Sequence, residues 1–370
     1  MITRRDFVVS GAALSAAALL PAGAWAQTVF APQPGAWRNF QVVTRLDVAK
    51  PDGKTDGLVR AWVPLPAFSE DQWFRPGGST WSTNAATAEV VGDPRFGAQM
   101  LALEWSAREP APSVEINSKI ATRNRAVDLS KPGTAAPLGD KERVMFLAAT
   151  DLIPTDGIVK QTSDKITSGA KDEITKVRAI YEWIVENTYR NAATRGCGVG
   201  DIAALLKSGD LGGKCADLNA LFVGLVRAAG IPARDVYGLR VAPSKFGYKS
   251  LGANSEVVTK AQHCRSEVFL TGYGWVPMDP ADVRKVVLEE PPGKLGIDDP
   301  KVVAARKTLF GAWEGNWMAY NDAHDVALPG SKGPKVGFLM YPQAETVAGR
   351  LDCLDPDTFR YSIRATEISV

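Results

Sequence analysis

Apolar residues along this chain follow two rhythms. Between about residues 40 and 125 they fall in short runs with strand character: 40–48, rich in β-branched residues, then 58–63, 99–105 and 114–121. Pro64-Leu65-Pro66, Pro51-Asp52-Gly53 and Gly92-Asp93-Pro94 punctuate them. Short strands with regularly spaced turns predict a small β-sandwich. Residues 128–140 are polar and rich in Pro and Gly, as a linker is. Beyond it the period turns helical. Ile174, Val177, Ile180, Ile184 and Val185 recur on one face, with Lys171, Asp172, Lys176, Glu182 and Glu186 on the other, which predicts an amphipathic helix over 171–190. A second helix starts at Cys215, with apolar positions 218, 221, 222, 225 and 226, and stops at Gly230-Ile231-Pro232. Residues 236–241 and 263–270 read as strands, and Gly272-Tyr273-Gly274 as a tight turn into a hairpin partner over 275–279. The rest mixes helical and strand segments, with strands expected at 338–341 and 361–368. The pattern predicts an α+β chain. A β-sandwich spans 27–127, helices pack on an antiparallel sheet over 128–285, and an extension over 286–370 packs on that second unit.

The first 26 residues read as an address. Arg4-Arg5 precede an Ala- and Leu-rich run to about residue 20, followed by Pro21 and Ala24-Trp25-Ala26. A charged start, a short apolar stretch and an A-x-A site make an export signal, and the arginine pair is similar to the twin-arginine type. The apolar run falls short of the roughly 20 residues of a membrane helix. The expectation is cleavage near Ala26 and a periplasmic or secreted mature chain without membrane insertion. Composition adds two exclusions. With 45% hydrophobic and 23% charged residues, the chain is neither a disordered tail nor a fibre. Lys+Arg 43 against Asp+Glu 41 leaves +2, which argues against a dedicated nucleic-acid surface, though not against a local basic patch.

Candidate chemistry is limited by scarcity. The chain has 2 His and 4 Cys, too few for most multi-histidine metal sites or a disulfide scaffold, and neither metal nor cofactor is expected. Cys215 sits at the first turn of a buried helix behind Gly212-Gly213. The helix dipole and free N–H groups there lower a thiol pKa, and glycines admit a substrate backbone. A lone cysteine is more commonly structural, so the base matters. His263 begins a strand, and Asp279 ends that strand's hairpin partner. If the register holds they are neighbours, and Asp279 orients the imidazole in a nucleophile–base–orienter set. Strand alternation sends Cys264 away from His263, so Cys264 is not expected as a second nucleophile in the same cleft.

Three segments carry a resemblance. Residues 213–234 with Gly213-Lys214-Cys215, then 263–270, then Gly274-Trp275-Val276-Pro277-Met278-Asp279-Pro280, resemble the transglutaminase-like superfamily of papain-type cysteine enzymes. The family pattern is G-x-C near a helix start, H-x-W-x-E-V, and G-W-x-P-x-D. The resemblance covers roughly 140–285 and implies a papain-like domain preceded by a β-sandwich. It makes Cys215 the nucleophile, His263 the general base and acid, and Asp279 the orienter. It also implies an oxyanion helper, for which Tyr189 is the candidate and Lys214 a support. Cys264-Arg265 stand where a small residue and Trp are usual. The implied function is an exported cysteine enzyme acting on amide bonds of a peptide or protein through a thioester, with hydrolysis favoured over transfer to an amine. The alternative is a module that keeps the fold for binding or assembly without turnover.

Other signals are weaker. Cys197, Cys264 and Cys353 have the option of pairing in an oxidising compartment, Cys264 with Cys353 among the choices. Gly196–Gly200 does not follow a clear strand, and Gly53-Lys54-Thr55 lacks a P-loop's upstream Gly and reads as a hairpin turn. His324 reads as a loop histidine, and Trp313, Trp317 and Tyr320 as core. No Gly-x-Ser-x-Gly elbow marks a serine hydrolase.

Overall fold

A computed structural model describes residues 33–48, 57–130, 133–357 and 359–369. The expected export signal at 1–26 and the turn at 51–55 lie outside the described residues. Strands β1 (Arg38–Val48), β2 (Val59–Pro64), β3 (Phe74–Thr83), β4 (Thr87–Gly92), β5 (Gln99–Trp105) and β6 (Ser113–Thr122) come first. They form two antiparallel sheets, β1-β6-β3 and β2-β5-β4, each completed by later strands. Alternate residues of β1 and β6 point inward, so Leu46, Val114 and Ile116 meet Val63, Leu103 and Trp105 of the other sheet in one buried core. This is the expected sandwich. The strands β3 and β4 were not legible in the apolar pattern, because Phe74 is the single buried residue of β3 and β4 has none.

A short β7 (Arg125–Ala126) leads to α1 (Asp140–Leu147), α2 (Gly157–Thr167) and α3 (Glu173–Asn187). Asp172 caps α3 in a reciprocal box with Thr175, which sets its start two residues after the expected one. Then follow β8 (Tyr189–Arg190), α4 (Ile202–Ser208), β9 (Gly212–Gly213), α5 (Cys215–Ala228), β10 (Ala233–Arg240), β11 (Gln262–Leu270), β12 (Gly274–Met278), α6 (Pro280–Glu289) and α7 (Pro300–Thr308). Every residue of α5 except Asp217 is buried. The single apolar stripe understated this helix. Leu221, Phe222, Leu225 and Val226 share a core with Val268 and Leu270 of β11 and with Ile180 and Ile184 of α3. A helix covered on both sides must be apolar all round. Each fully buried large side chain contributes about 1.5–3 kcal/mol relative to exposure, so α5 is a rigid base for the residue at its start.

The chain continues through β13 (Ala312–Trp313), β14 (Trp317–Asn321), β15 (His324–Val326), β16 (Val336–Phe338), β17 (Gln343–Thr346), β18 (Gly349–Arg350) and β19 (Phe359–Ile368). Here the expectation of an extension packed on the second unit needs correcting. β14 does pair with β10, giving the sheet β12-β11-β10-β14. But β17 pairs with β2, and β19 pairs with β1 over ten positions, from Asn39↔Ile368 to Val48↔Phe359. Each sandwich sheet would otherwise present an open edge, and the returning strands cover both. Among the described residues no helix is long and apolar enough to cross a membrane.

Candidate active site

Cys215 is fixed by the turn before it. Asp217, in the first turn of α5, accepts N–H bonds from Lys214 (2.9 Å), Val199 (2.9 Å) and Gly200 (2.9 Å). The fit needs glycine on both sides. A Cβ on Gly198, whose φ is +97°, would meet Asp217 Oδ2 at 1.9 Å, and one on Gly213 would meet Asp217 Cβ at 2.6 Å. The Ala216 N–H donates to the Cys197 carbonyl at 2.8 Å. Cys215 is thus held at a helix N-terminus, 4% exposed, in the wall of a cleft of about 760 Å³ that His263 also lines.

His263 and Asp279 come together. The β11–β12 ladder ends at Ser266↔Met278, and α6 begins there with Asp279 as its N-cap, accepting from the Asp282 N–H. Nε2 of His263 donates to Asp279 Oδ2 at 2.7 Å and lies 3.4 Å from Asp282 Oδ1. Asp282 in turn is bound by Arg240 through Nη2 at 2.6 and 2.9 Å. Asn219, four residues into α5, donates Nδ2 to Asp279 Oδ1 at 3.1 Å and to the Cys264 carbonyl at 2.9 Å. Trp317 Nε1 donates to the His263 carbonyl at 3.0 Å. The backbone and the ring of His263 are therefore both tied.

The electrostatics follow. Burial and Arg240 disfavour a charged His263, but Asp282 and Asp279 more than offset them, and its pKa rises to about 9. The Cys215 thiol is held well below its usual range by hydrogen bonds with Cys197 and Cys264, against its burial, and with help from His263. Asp282 sits well below the carboxylate range because Arg240 and His263 outweigh its burial, whereas burial and Asp282 push Asp279 up. With Cys215 as thiolate and His263 protonated, the buried anions Cys215, Asp279 and Asp282 face the cations His263, Arg240 and Arg265. Opposed and hydrogen-bonded charges are the condition under which a buried ionic group persists.

Arg265 accounts for the departure from the family pattern. Its guanidinium lies 5.2 Å from the Trp313 ring and 4.8 Å from the Trp317 ring, Nη1 donates to the Glu314 carbonyl at 2.9 Å, and Nε is 3.8 Å from Asp279 Oδ2. The aromatic wall is supplied by β13 and β14, and Arg265 fills the space between it and the carboxylate.

Other expectations are corrected. Cys264 is fully buried and is not among the residues lining the cleft, yet its sulfur is close: those of Cys197, Cys215 and Cys264 all lie within 4.8 Å of one another. Alternation forbids adjacent residues sharing a direction, not sharing a neighbour, and α5 covers β11 so that Cys264 meets its first residue. All four cysteines are free thiols, so Cys264 and Cys353 are not joined. Gln343 Nε2 reaches Cys353 Sγ at 3.3 Å on the sandwich side. Tyr189 is not brought to the thiol. Its hydroxyl donates to Asp210 at 2.8 Å, and its ring lies under Gly212. Lys214 does line the cleft, with Nζ donating to the Thr194 carbonyl at 2.6 Å. His324 is no loop residue: it lies in β15, buried against Tyr237 and 3.8 Å from Asp235, and burial keeps it neutral. Trp313, Trp317 and Tyr320 are core. Among the described residues two groups have donor atoms close enough to hold a metal ion, the three thiols and His263–Asp279–Asp282. In the second, Nε2 already serves Asp279 and Arg240 already neutralises Asp282.

Sequence and fold comparisons show what the chain is similar to. Residues 160–280 match the model of the transglutaminase-like superfamily. A Haemophilus influenzae relative, described as an uncharacterized protein, is 35% identical over 336 residues, covering 87% of this chain and 89% of its own. Among solved structures, a candidate cysteine protease from Cytophaga hutchinsonii superposes with a TM-score of 0.50 at 14% identity, over 90% of this chain and 99% of the other. That likeness is one of fold.

Proposed function

This chain belongs to the transglutaminase-like superfamily, and from that premise we propose that it is an exported cysteine enzyme that hydrolyses amide bonds in peptides or proteins. The observation that carries the reading is that Cys215, at a helix N-terminus, and His263, hydrogen-bonded to Asp279 at 2.7 Å, line the same cleft. In the resting state Cys215 is the thiolate and His263 the imidazolium. The sulfur attacks the amide carbonyl. The C–S bond forms as the carbonyl π electrons move to oxygen, near the N–H of Cys215, one of the first-turn donors that no helical carbonyl can satisfy. His263 gives its proton to the leaving nitrogen, the C–N bond breaks, and a thioester remains. Neutral His263 then takes a proton from water, whose oxygen displaces the sulfur and restores the pair. Asp279 keeps the ring oriented through both halves.

Water is favoured over a lysine amine as acceptor because the cleft is lined by Lys and Arg, which repel a protonated amine. Export follows from the signal read at 1–26. The test is pH-dependent alkylation with mass mapping. Cys215 should label well below the ordinary thiol range and ahead of the other three cysteines, and His263→Ala should remove that lead. Equal, slow labelling of all four would overturn the reading. Peptide turnover with and without added amine then separates hydrolysis from transfer.

A further inference from the structure

We propose that the cleft selects anionic peptides, so that the acyl donor carries carboxylates beside the attacked amide; this rests on the reading of Cys215 as nucleophile. Among the described residues seven Lys or Arg side chains line the cleft and no Asp or Glu does. The whole chain is nearly balanced, 43 basic against 41 acidic residues, so the cleft concentrates one sign locally.

Some of these cations are already used. Arg240 serves Asp282, Arg190 pairs with Glu289, and Arg195 pairs with Asp352. Lys285 lies 3.7 Å from Glu289. Three remain. Lys214 meets a carbonyl, which carries no net charge, and neither it nor Lys260 nor Arg360 makes an ion pair among the described residues. The three come from separate segments: the turn before α5, the approach to β11, and β19. All three line the same cleft as Cys215. The thiolate does not account for them, because His263 matches its charge and Arg240 and Arg265 match the two aspartates. A concave wall with uncompensated cations focuses potential and raises the local concentration of anions. A carboxylate on either side of the scissile amide replaces counter-ions there. A neutral peptide gains nothing from it, and a basic one is repelled.

The test is affinity selection of a randomised tetrapeptide library, acetylated and amidated to remove terminal charge, on the full chain carrying Cys215→Ala. At about 0.05 M salt the captured pool should be enriched in Asp and Glu over Asn and Gln by about tenfold, and about 0.5 M salt should abolish the enrichment. Adding Lys260→Glu and Arg360→Glu should invert it toward basic peptides. If that variant does not fold, Lys260→Gln with Arg360→Gln should reduce the preference, and the salt series on the unaltered charges stands by itself. No acidic preference, or one indifferent to salt and to these substitutions, overturns the proposal. Cleavage of the same library by the chain with Cys215 reads the chemistry separately. Acidic capture without cleavage upholds the preference and removes the enzyme reading. Cleavage without acidic preference does the reverse.

Discussion

Asn219 joins three elements through one amide. Its Nδ2 reaches Asp279 and the Cys264 carbonyl, and its Oδ1 accepts from the Ala281 N–H at 3.3 Å, so α5, β11 and α6 are locked where the site forms. Asn219→Ala should cost about 1–3 kcal/mol in denaturant unfolding, because buried partners lose their bonds. It should also lower kcat more than it raises KM, since His263 loses its fixed orienter. The pH profile has a definite sign. His263 gives up its proton as pH rises through about 9, so acylation of an amide substrate should decline above that point, while the depressed Cys215 pKa keeps the acid side active below the usual thiol range. Cys197→Ala or Cys264→Ala removes a hydrogen-bond partner of the thiolate. Either should slow Cys215 labelling at about pH 6 by about tenfold, with less effect at alkaline pH. Cys215, His263 and Asp279 were legible because each stands at an element boundary with its own local signal. The thiols of Cys197 and Cys264, and the Arg240–Asp282 pair, were not, since no periodicity says which buried side chains from distant segments converge. Asn219 was within reach: it lies four residues after Cys215, on the same helical face.

Among the elements, β10 is where the site and its wall are held together. Gly238 pairs with His263 on one side and Ala319 on the other. A Cβ there would meet the Met318 carbonyl oxygen at 2.1 Å and Trp317 Cζ2 at 2.3 Å. Gly238→Ala should therefore push β14 away, loosen Trp317 from the His263 carbonyl, and destabilise by about 1–3 kcal/mol. Thermal unfolding followed by tryptophan fluorescence checks this. The buried Glu267 ties the same sheet to the short β7, bound by Arg125 of β7 and by Arg234 of β10. The helix α5 and the hairpin β11–β12 were legible because apolar period and Gly or Pro punctuation agreed over their lengths. The helices α1 and α7 were not singled out: each buries only one or two residues, so their cores leave no stripe to read.

At the scale of the molecule, near-neutral charge concealed a basic cleft, because a sum over the chain carries no information about position. The sandwich was legible as strands but not as a closed body, since what completes it comes from the far end of the described chain. β1 is hydrogen-bonded to β6 on one side and to β19 on the other, with partners 311 positions apart at Val48↔Phe359. Phe359 and Tyr361 of β19 also line the cleft. Deleting 359–370 should therefore lower the unfolding temperature and expose β1 to limited proteolysis, while abolishing turnover although the proposed triad is untouched. The same pairing sets a timetable. A growing chain that has made β1 must leave one edge of it unsatisfied until β19, some 311 positions later, has been synthesised. Long-range strand pairing is slow, and an exposed edge invites association with other chains. Between the making of β1 and the arrival of β19 the newborn chain thus carries an unpaired strand edge, the state in which association with other chains is most favoured.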